Sequence, residues 1–310
     1  MINRTTWTVV GTVLLFLAGC GGGGDDDPSP APTATITTTN APTIARSVVK
    51  ASLEGRDLGS FAAFGPMGGS ASSPKSARVY YSKVAEIQNA AVDALLQHTQ
   101  TVALVPVGPE VSQCTGGGTV TLSGNIANPA TLGPNDTITL DFASCVEGDT
   151  TTNGQLSMRV TSFSGDPASG TFSFAVTTTI TSFQVTVAGE TATVNGTVSI
   201  STSVAGSTLT TTVTSSSISV GDGGSSHTLH DYSSVHTLTS GSFTLDVSGS
   251  LTSSDFSGTA SFDTTVLLQG MGEDYAFVGQ LLITGANGAT IKVIVLDSTF
   301  LRLEVDSNGD

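Results

Sequence analysis

Three histidines and one aspartate fall within ten residues and carry side chains that could bind a metal ion: His227, His230, Asp231 and His236. Imidazole and carboxylate groups are common zinc ligands. The surrounding sequence alternates like a β-strand, in which His230 and His236 would share a face but lie about 20 Å apart. His227 and Asp231 would point the other way. Because zinc ligands converge to about 2 Å from the ion, the spacing favours no metal site.

Paired acidic residues are a second possible source of chemistry, since glycosidases use two carboxyl groups. Glu147 with Asp149 and Glu273 with Asp274 form such pairs, but acids this close in turns are usually solvated. Residues 306–310 resemble the start of a calcium loop, yet no bidentate Glu follows them, which favours a solvated turn. No Gly-x-Ser-x-Gly, His-Glu-x-x-His or phosphate-loop motif occurs in the sequence. The sequence therefore predicts no catalytic residue and no cofactor, and an enzymatic activity lacks support.

The first twenty residues have the composition of a secretory signal peptide. Arg4 precedes an apolar run that is shorter than the about 20 residues a spanning helix needs. Leu17-Ala18-Gly19-Cys20 then matches a complete lipobox, so the N-terminus is similar to that of bacterial lipoproteins. The resemblance implies cleavage after residue 19, diacylglycerol on the Cys20 sulfur and an acyl chain such as palmitate on its amine. Two or three acyl chains give stable membrane anchoring.

Residues 20–42 are predicted to form a flexible tether. They are rich in Gly, Asp, Pro, Ala and Thr and contain almost no large apolar residue, so they cannot bury enough surface to fold. In enterobacterial lipoproteins an Asp directly after the acylated Cys favours the inner membrane, whereas Gly21 follows Cys20 here. The resemblance thus implies a lipid-anchored outer-membrane protein and leaves open which side of that membrane the domain faces.

Cys114 and Cys145 are the remaining cysteines. An exported protein folds in an oxidising compartment, where cysteine pairing is favoured. Cys114 precedes a predicted strand around Val120, and Cys145 ends a predicted strand around Leu140. A hairpin turning near residues 128–135 would bring both cysteines to one end, which predicts a Cys114–Cys145 disulfide. Two free thiols are the alternative.

Two amphipathic helices are predicted in residues 43–112. The first follows Thr43 as N-cap and continues until Gly55. The second runs from about residue 74 to residue 98. Its apolar stripe comprises Tyr80, Val84, Ile87, Ala91 and Leu95. We expect this helix to pack on the apolar face of the sheet, because an uncovered face would exceed the apolar patches that soluble proteins tolerate.

Residues 113–306 are predicted to form an antiparallel β domain. Val, Leu, Ile and Phe alternate with Ser and Thr in about a dozen segments separated by Gly and Asn, a pattern typical of strands with one buried face. The connections are too short for parallel crossovers. Because large sheets curl, split or close, we expect a mainly β fold with a curled meander, half-barrel or sandwich-like, preceded by one or two helices.

Three local features of the β domain lead to further predictions. Phase shifts in the alternation at Phe183 and Ile218 indicate bulges. The similar segments that begin Asn153-Gly154 and Asn195-Gly196 are attributed to shared turn chemistry. Val266 is assigned to the same buried face as Phe262 and Leu268.

The charge distribution excludes two classes of partner. Ten basic residues face 25 acidic ones, for a formal net charge of −15. Only Arg159, Lys292 and Arg302 follow residue 100, so the chain lacks the cation cluster that nucleic-acid binding needs. The same deficit argues against peripheral binding to anionic lipids.

The sequence resembles uncharacterised lipoproteins of Gram-negative bacteria with a Gly/Asp-rich linker and a Cys-x-Gly-Gly-Gly-Thr-Val hairpin, here residues 114–120. The resemblance implies no activity. It leaves a non-catalytic envelope lipoprotein with a structural or protein-binding β domain as the first hypothesis. A carrier or chaperone of a lipophilic ligand in a half-barrel cavity is the alternative, and an outer-membrane β-barrel is a lesser one.

Overall fold

A computed structural model describes residues 32–57, 106–127, 133–166, 170–222, 224–271, 276–297 and 300–309. These residues belong to one compact unit, Pro32–Asp310. The predicted signal peptide, the lipidation at Cys20 and the second helix at residues 74–98 lie outside the described residues. In the described part, no helix is both long and apolar enough to cross a membrane.

One antiparallel sheet dominates the fold, with its thirteen strands paired in sequence order. The first and last strands are not paired with each other among the described residues, so this sheet is not closed into a barrel. The predicted mainly β meander is confirmed. The strands are β1 Pro106–Gln113, β2 Thr119–Asn125, β3 Thr137–Glu147, β4 Thr150–Asp166, β5 Thr171–Val187, β6 Glu190–Ala205, β7 Thr208–Asp222, β8 Ser225–Thr239, β9 Ser242–Ser253, β10 Thr259–Met271, β11 Ala276–Thr284, β12 Thr290–Val295 and β13 Leu301–Asp306.

The alternation in the sequence separates a buried apolar face from a hydroxyl-rich face. The buried residues include Leu156, Met158, Val160, Phe172, Phe174, Val176, Val198, Ile200, Phe243, Leu245 and Val247. On the other face, hydroxyl groups pair across neighbouring strands, as Thr177 and Ser199 do at 3.2 Å between their oxygens. Ser and Thr thus supply the surface polarity that charged residues supply in most domains.

Bulges interrupt the strand pairing at the two predicted positions. The register shifts between Ile180 and Phe183 on β5, and between Gly196 and Ser199 where β6 meets the Ile218 region of β7. Ser182 has a φ of 46° at the β5 bulge. Each bulge adds a residue to one strand and bends it locally.

The Asn-Gly pairs serve these bulges, so their assignment to turns is wrong. Asn153-Gly154 lies inside β4 and Asn195-Gly196 inside β6. The Asn195 side chain accepts a hydrogen bond from the Ser182 N–H at 2.6 Å. A Cβ on Gly154, which has a φ of 95°, would lie 2.2 Å from the Ser182 carbonyl oxygen. Asn therefore satisfies the bulged backbone, and Gly leaves room for it.

Another irregularity overturns the predicted face of Val266. The pairing of β10 with β11 shifts register between Thr264 and Val266 and again before Gln269. Val266 is consequently 42% exposed, whereas Phe262 is buried and Leu268 half-buried. Simple alternation fails at Val266 because this residue lies between two register shifts, each of which adds a residue to β10.

Helix α1, Ala41–Asp57, is the α-helix of the described part and packs against β8, β9, β10 and β12. It begins two residues before the predicted N-cap Thr43, after a turn in which Asn40 and Thr37 exchange side-chain hydrogen bonds. The expected tether is ordered in its last part. Ala34 and Ile36 are buried, and the Ala34 N–H donates to the Thr259 carbonyl at 2.9 Å. The last eleven residues of the expected tether, 32–42, therefore belong to the compact unit.

Candidate functional site

Helix α1 has three faces with different neighbours: a buried stripe, an apolar flank and a polar flank. A stripe at helical spacing, with Ala41, Ile44, Val48 and Ala51 in it, is buried against the sheet. Val49 and Leu53, half-buried, lie on one flank, and Lys50 and Glu54 lie on the other. The apolar flank borders a cavity, and the polar flank forms ion pairs with β-strand residues.

An apolar cavity of about 270 Å³ lies between α1 and strands β9 to β13. Its deep wall consists of side chains that are at most 3% exposed, such as Leu245 and Leu281. Asp297 and Leu301, both exposed, mark where it reaches the surface. The lining residues are Val49, Ser52, Leu53, Arg56, Phe243, Leu245, Val247, Leu268, Ala276, Leu281, Val293, Val295, Asp297 and Leu301.

Three of the lining residues are polar: Ser52, Arg56 and Asp297. The other lining residues are apolar. The Ser52 hydroxyl donates to the Val48 carbonyl of its own helix at 2.7 Å. The Asp297 carboxylate accepts the Phe300 N–H at 2.9 Å in the β12–β13 turn. Arg56 is half-buried in the last turn of α1. A cavity with an apolar interior suits an apolar molecule.

Tyr232 fixes the position of α1 and therefore the width of the cavity. Its hydroxyl donates to the Ser52 carbonyl at 2.8 Å, and both groups are buried. Gly55 lies directly over the ring, where a Cβ would come within 2.6 Å of it. The helix thus rests closely on β8 on this side, which leaves the open space on its other flank.

An acid–base cluster binds the polar flank of α1 to the sheet. The Glu54 side chain is 4% exposed, with one carboxylate oxygen 3.4 Å from the His227 Nε2. Its other oxygen lies 3.9 Å from the Lys50 ammonium, which is also 4.0 Å from Asp222. Nearby, the Ser47 hydroxyl donates to Asp255 at 2.8 Å. Glu54 was not predicted as a buried residue, because a single acid in a helical sequence gives no sign of burial.

The histidines do not share a site. His227 faces Glu54, His230 contacts the Thr252 hydroxyl at 3.3 Å, and the His236 ring lies 5.5 Å from the Phe243 ring. Asp231, with a φ of 47°, sits at a bulge between His230 and Ser233. The expectation that His230 and His236 share a face is therefore wrong, because the extra residue places His236 beside buried Phe243.

The predicted disulfide is confirmed. Cys114 and Cys145 are bonded, with their Cα atoms 5.4 Å apart. Cys114 directly follows β1 and Cys145 lies near the end of β3. Gly118 fits beside the Ser144 backbone, where a Cβ would lie 1.9 Å from the carbonyl oxygen. The bond thus fixes the β1–β2 turn to β3.

The remaining acidic candidates have separate surroundings. Glu147 lies within 4.8 Å of the sulfur atoms of Cys114 and Cys145, and this is the one cluster of possible metal ligands among the described residues. The two sulfurs are bonded to each other, so they are not thiolate ligands. Asp306 accepts the N–H groups of Asn308 and Gly309 in a terminal turn. Glu273 and Asp274 lie outside the described residues.

Comparison of the chain with protein-family models, with curated proteins and with solved structures gives no match.

Proposed function

We propose that this protein is a lipid-anchored lipoprotein of the Gram-negative outer membrane, whose β domain holds a lipophilic molecule. The lipobox Leu17-Ala18-Gly19-Cys20 supports the anchor. The apolar cavity beside α1 is the single observation that supports the ligand. No reaction is part of the proposal.

Metabolic labelling with a palmitate analogue tests the anchor. The wild-type protein should take up the label at Cys20, and a Cys20→Ala variant should not. Cys114 and Cys145 form a disulfide, so neither offers a free thiol for acylation. Label that persists in the Cys20→Ala variant would refute lipidation at this residue.

The size and lining of the cavity favour one short acyl chain or a comparably small apolar molecule. Its volume is about 270 Å³. Pockets that enclose drug-sized ligands are slightly larger, at about 300–1,000 Å³. Because the cavity opens to the surface at Asp297 and Leu301, its apolar walls contact water when it is empty. An apolar occupant would remove that apolar surface from water, which is favourable.

The bulges support a curled sheet around this cavity. They include bulges on β1, β3, β4, β5, β7, β8 and β10, where the strand pairing shifts register. Because each bulge increases local twist and bend, a series of bulges favours curvature of the whole sheet. A half-barrel with α1 on its apolar side is the architecture that we propose.

Titration with a fluorescent fatty acid tests the ligand. We expect saturable binding with a micromolar Kd, and we expect Leu53→Asp to weaken it at least tenfold, because the new charge would face the cavity. Thr43→Asp is the matched control, since Thr43 is exposed on the same helix. Absence of saturable binding, or equal binding by both variants, would contradict the proposal.

A structural or protein-binding domain is the second candidate, favoured by the filled core of the earlier strands. Val160, Val176, Ile200 and Val213, on β4 to β7, are each at most 4% exposed. The disulfide adds rigidity at β1 to β3. This half of the sheet is built as a scaffold, and failure of the fatty-acid titration would leave the scaffold as the better account.

A further inference from the structure

Four large apolar side chains are exposed at one end of the sheet. Met271, Leu296, Phe300 and Leu301 are exposed by 71%, 53%, 65% and 51%. Met271 ends β10, and the other three lie at the β12–β13 turn. The two hairpin ends are neighbours, because β11 pairs with both β10 and β12. We call these four residues the apolar rim.

The apolar rim is continuous with the cavity. Leu301 belongs to both, and the cavity-lining residues Ala276 and Val295 lie at the same strand ends. The turn that carries the rim is held by its own backbone, since the Leu296 N–H donates to the Phe300 carbonyl at 3.1 Å. Apolar side chains are thus held exposed beside the opening of an apolar cavity.

We propose that the apolar rim docks on a zwitterionic lipid surface, with its side chains inserted at the acyl boundary. Leu and Phe at the tips of hairpins can enter that boundary without opening the sheet. The charged residues near the rim have both signs: Arg56, Asp297 and Arg302 among the described residues, and Glu273 and Asp274 in the sequence between β10 and β11. A neutral headgroup layer suits this balance better than an anionic one, which the net charge of −15 would repel.

The docking rests on the proposed function, in which acylated Cys20 anchors the protein to a bilayer. The chain between Cys20 and the folded unit is long enough for the rim to reach that bilayer. The chain enters the folded unit at the opposite end of the sheet, where the Ala286 N–H donates to the Ala34 carbonyl. From there the rim is about 17 Å away along β12. The eleven residues between Cys20 and Pro32 provide twelve Cα–Cα steps, which extend to at most about 42 Å. Docking would place the cavity opening against lipid, from which a ligand could enter.

Tryptophan fluorescence in vesicles tests the docking. The chain has one tryptophan, Trp7, which cleavage after residue 19 removes, so Phe300→Trp is the sole reporter in the mature protein. The mature, acylated protein is reconstituted in phosphatidylcholine vesicles with brominated acyl chains. We expect a blue-shifted emission and at least twofold quenching. Val111→Trp is the matched control, because Val111 is 58% exposed but lies on β1, and it should show neither effect.

The results distinguish a lipid surface from a second copy of the chain as the partner of the apolar rim. Added Leu296→Asp should abolish the quenching of the Phe300→Trp reporter. Quenching of neither reporter, or equal quenching of both, would overturn the docking. A blue shift that depends on protein concentration without vesicles would instead indicate a second copy of the chain. Quenching that persists when the fatty-acid titration fails would retain the docking and reject only the cavity proposal.

Discussion

Replacing Gly154 by Ala tests the inferred role of the Asn-Gly pairs in the sheet. Gly154 has a φ of 95°, and a Cβ would lie 2.2 Å from the Ser182 carbonyl oxygen. Gly148 is the matched control, because it has a φ of 62° but no atom within 4 Å of the Cβ position. Both variants carry backbone strain of about 1–2 kcal/mol. Only Gly154→Ala must also separate two paired strands, which adds about 1–3 kcal/mol.

Urea unfolding followed by circular dichroism measures the difference. We expect Gly154→Ala to lower the free energy of unfolding by about 3 kcal/mol and Gly148→Ala by about 1 kcal/mol. In thermal unfolding, a chain of this size should lose about 2–4 °C of Tm per kcal/mol. Equal losses in the two variants, within about 0.5 kcal/mol, would refute the claim that β4 must approach the β5 bulge this closely.

Three other substitutions probe the disulfide and the seating of α1. Replacing Cys114 and Cys145 by Ser should lower the free energy of unfolding by about 3–4 kcal/mol, because the closed loop spans a separation of 31 residues; an unchanged urea midpoint would contradict this. Tyr232→Phe should cost about 1 kcal/mol, since the buried Ser52 carbonyl loses its donor, and no loss in the same assay would argue against that hydrogen bond. His227→Ala should cost about 1–3 kcal/mol, because buried Glu54 loses a partner; His230→Ala, away from α1, is its control and should cost less.

The sequence pattern predicted the fold class because alternation reports burial directly. The Cys114–Cys145 disulfide followed from the same strand assignment. Faces were wrong at Val266 and His236 because bulges insert residues that composition does not reveal. The Asn-Gly pairs were misassigned because Asn and Gly favour turns and bulges for the same backbone reason.

The candidate site was harder to predict than the sheet. Residues 32–40 have the composition of a linker, yet the side chains of Ala34 and Ile36 are buried in the core. The cavity depends on where α1 rests, which the contact between Gly55 and Tyr232 determines. No spacing in the sequence records a contact between residues so far apart in the chain.

Mass spectrometry of noncovalently bound lipid tests the central claim most directly. Protein purified from the cell envelope is extracted with organic solvent, which leaves covalent acyl chains attached. We expect about one lipophilic molecule per wild-type chain. The Ala276→Phe variant, in which the new ring fills the cavity, should lose this molecule. The control variant Ala205→Phe, changed at an exposed strand end, should keep it. No enriched molecule in the wild type, or equal amounts in both variants, would contradict a ligand-binding cavity.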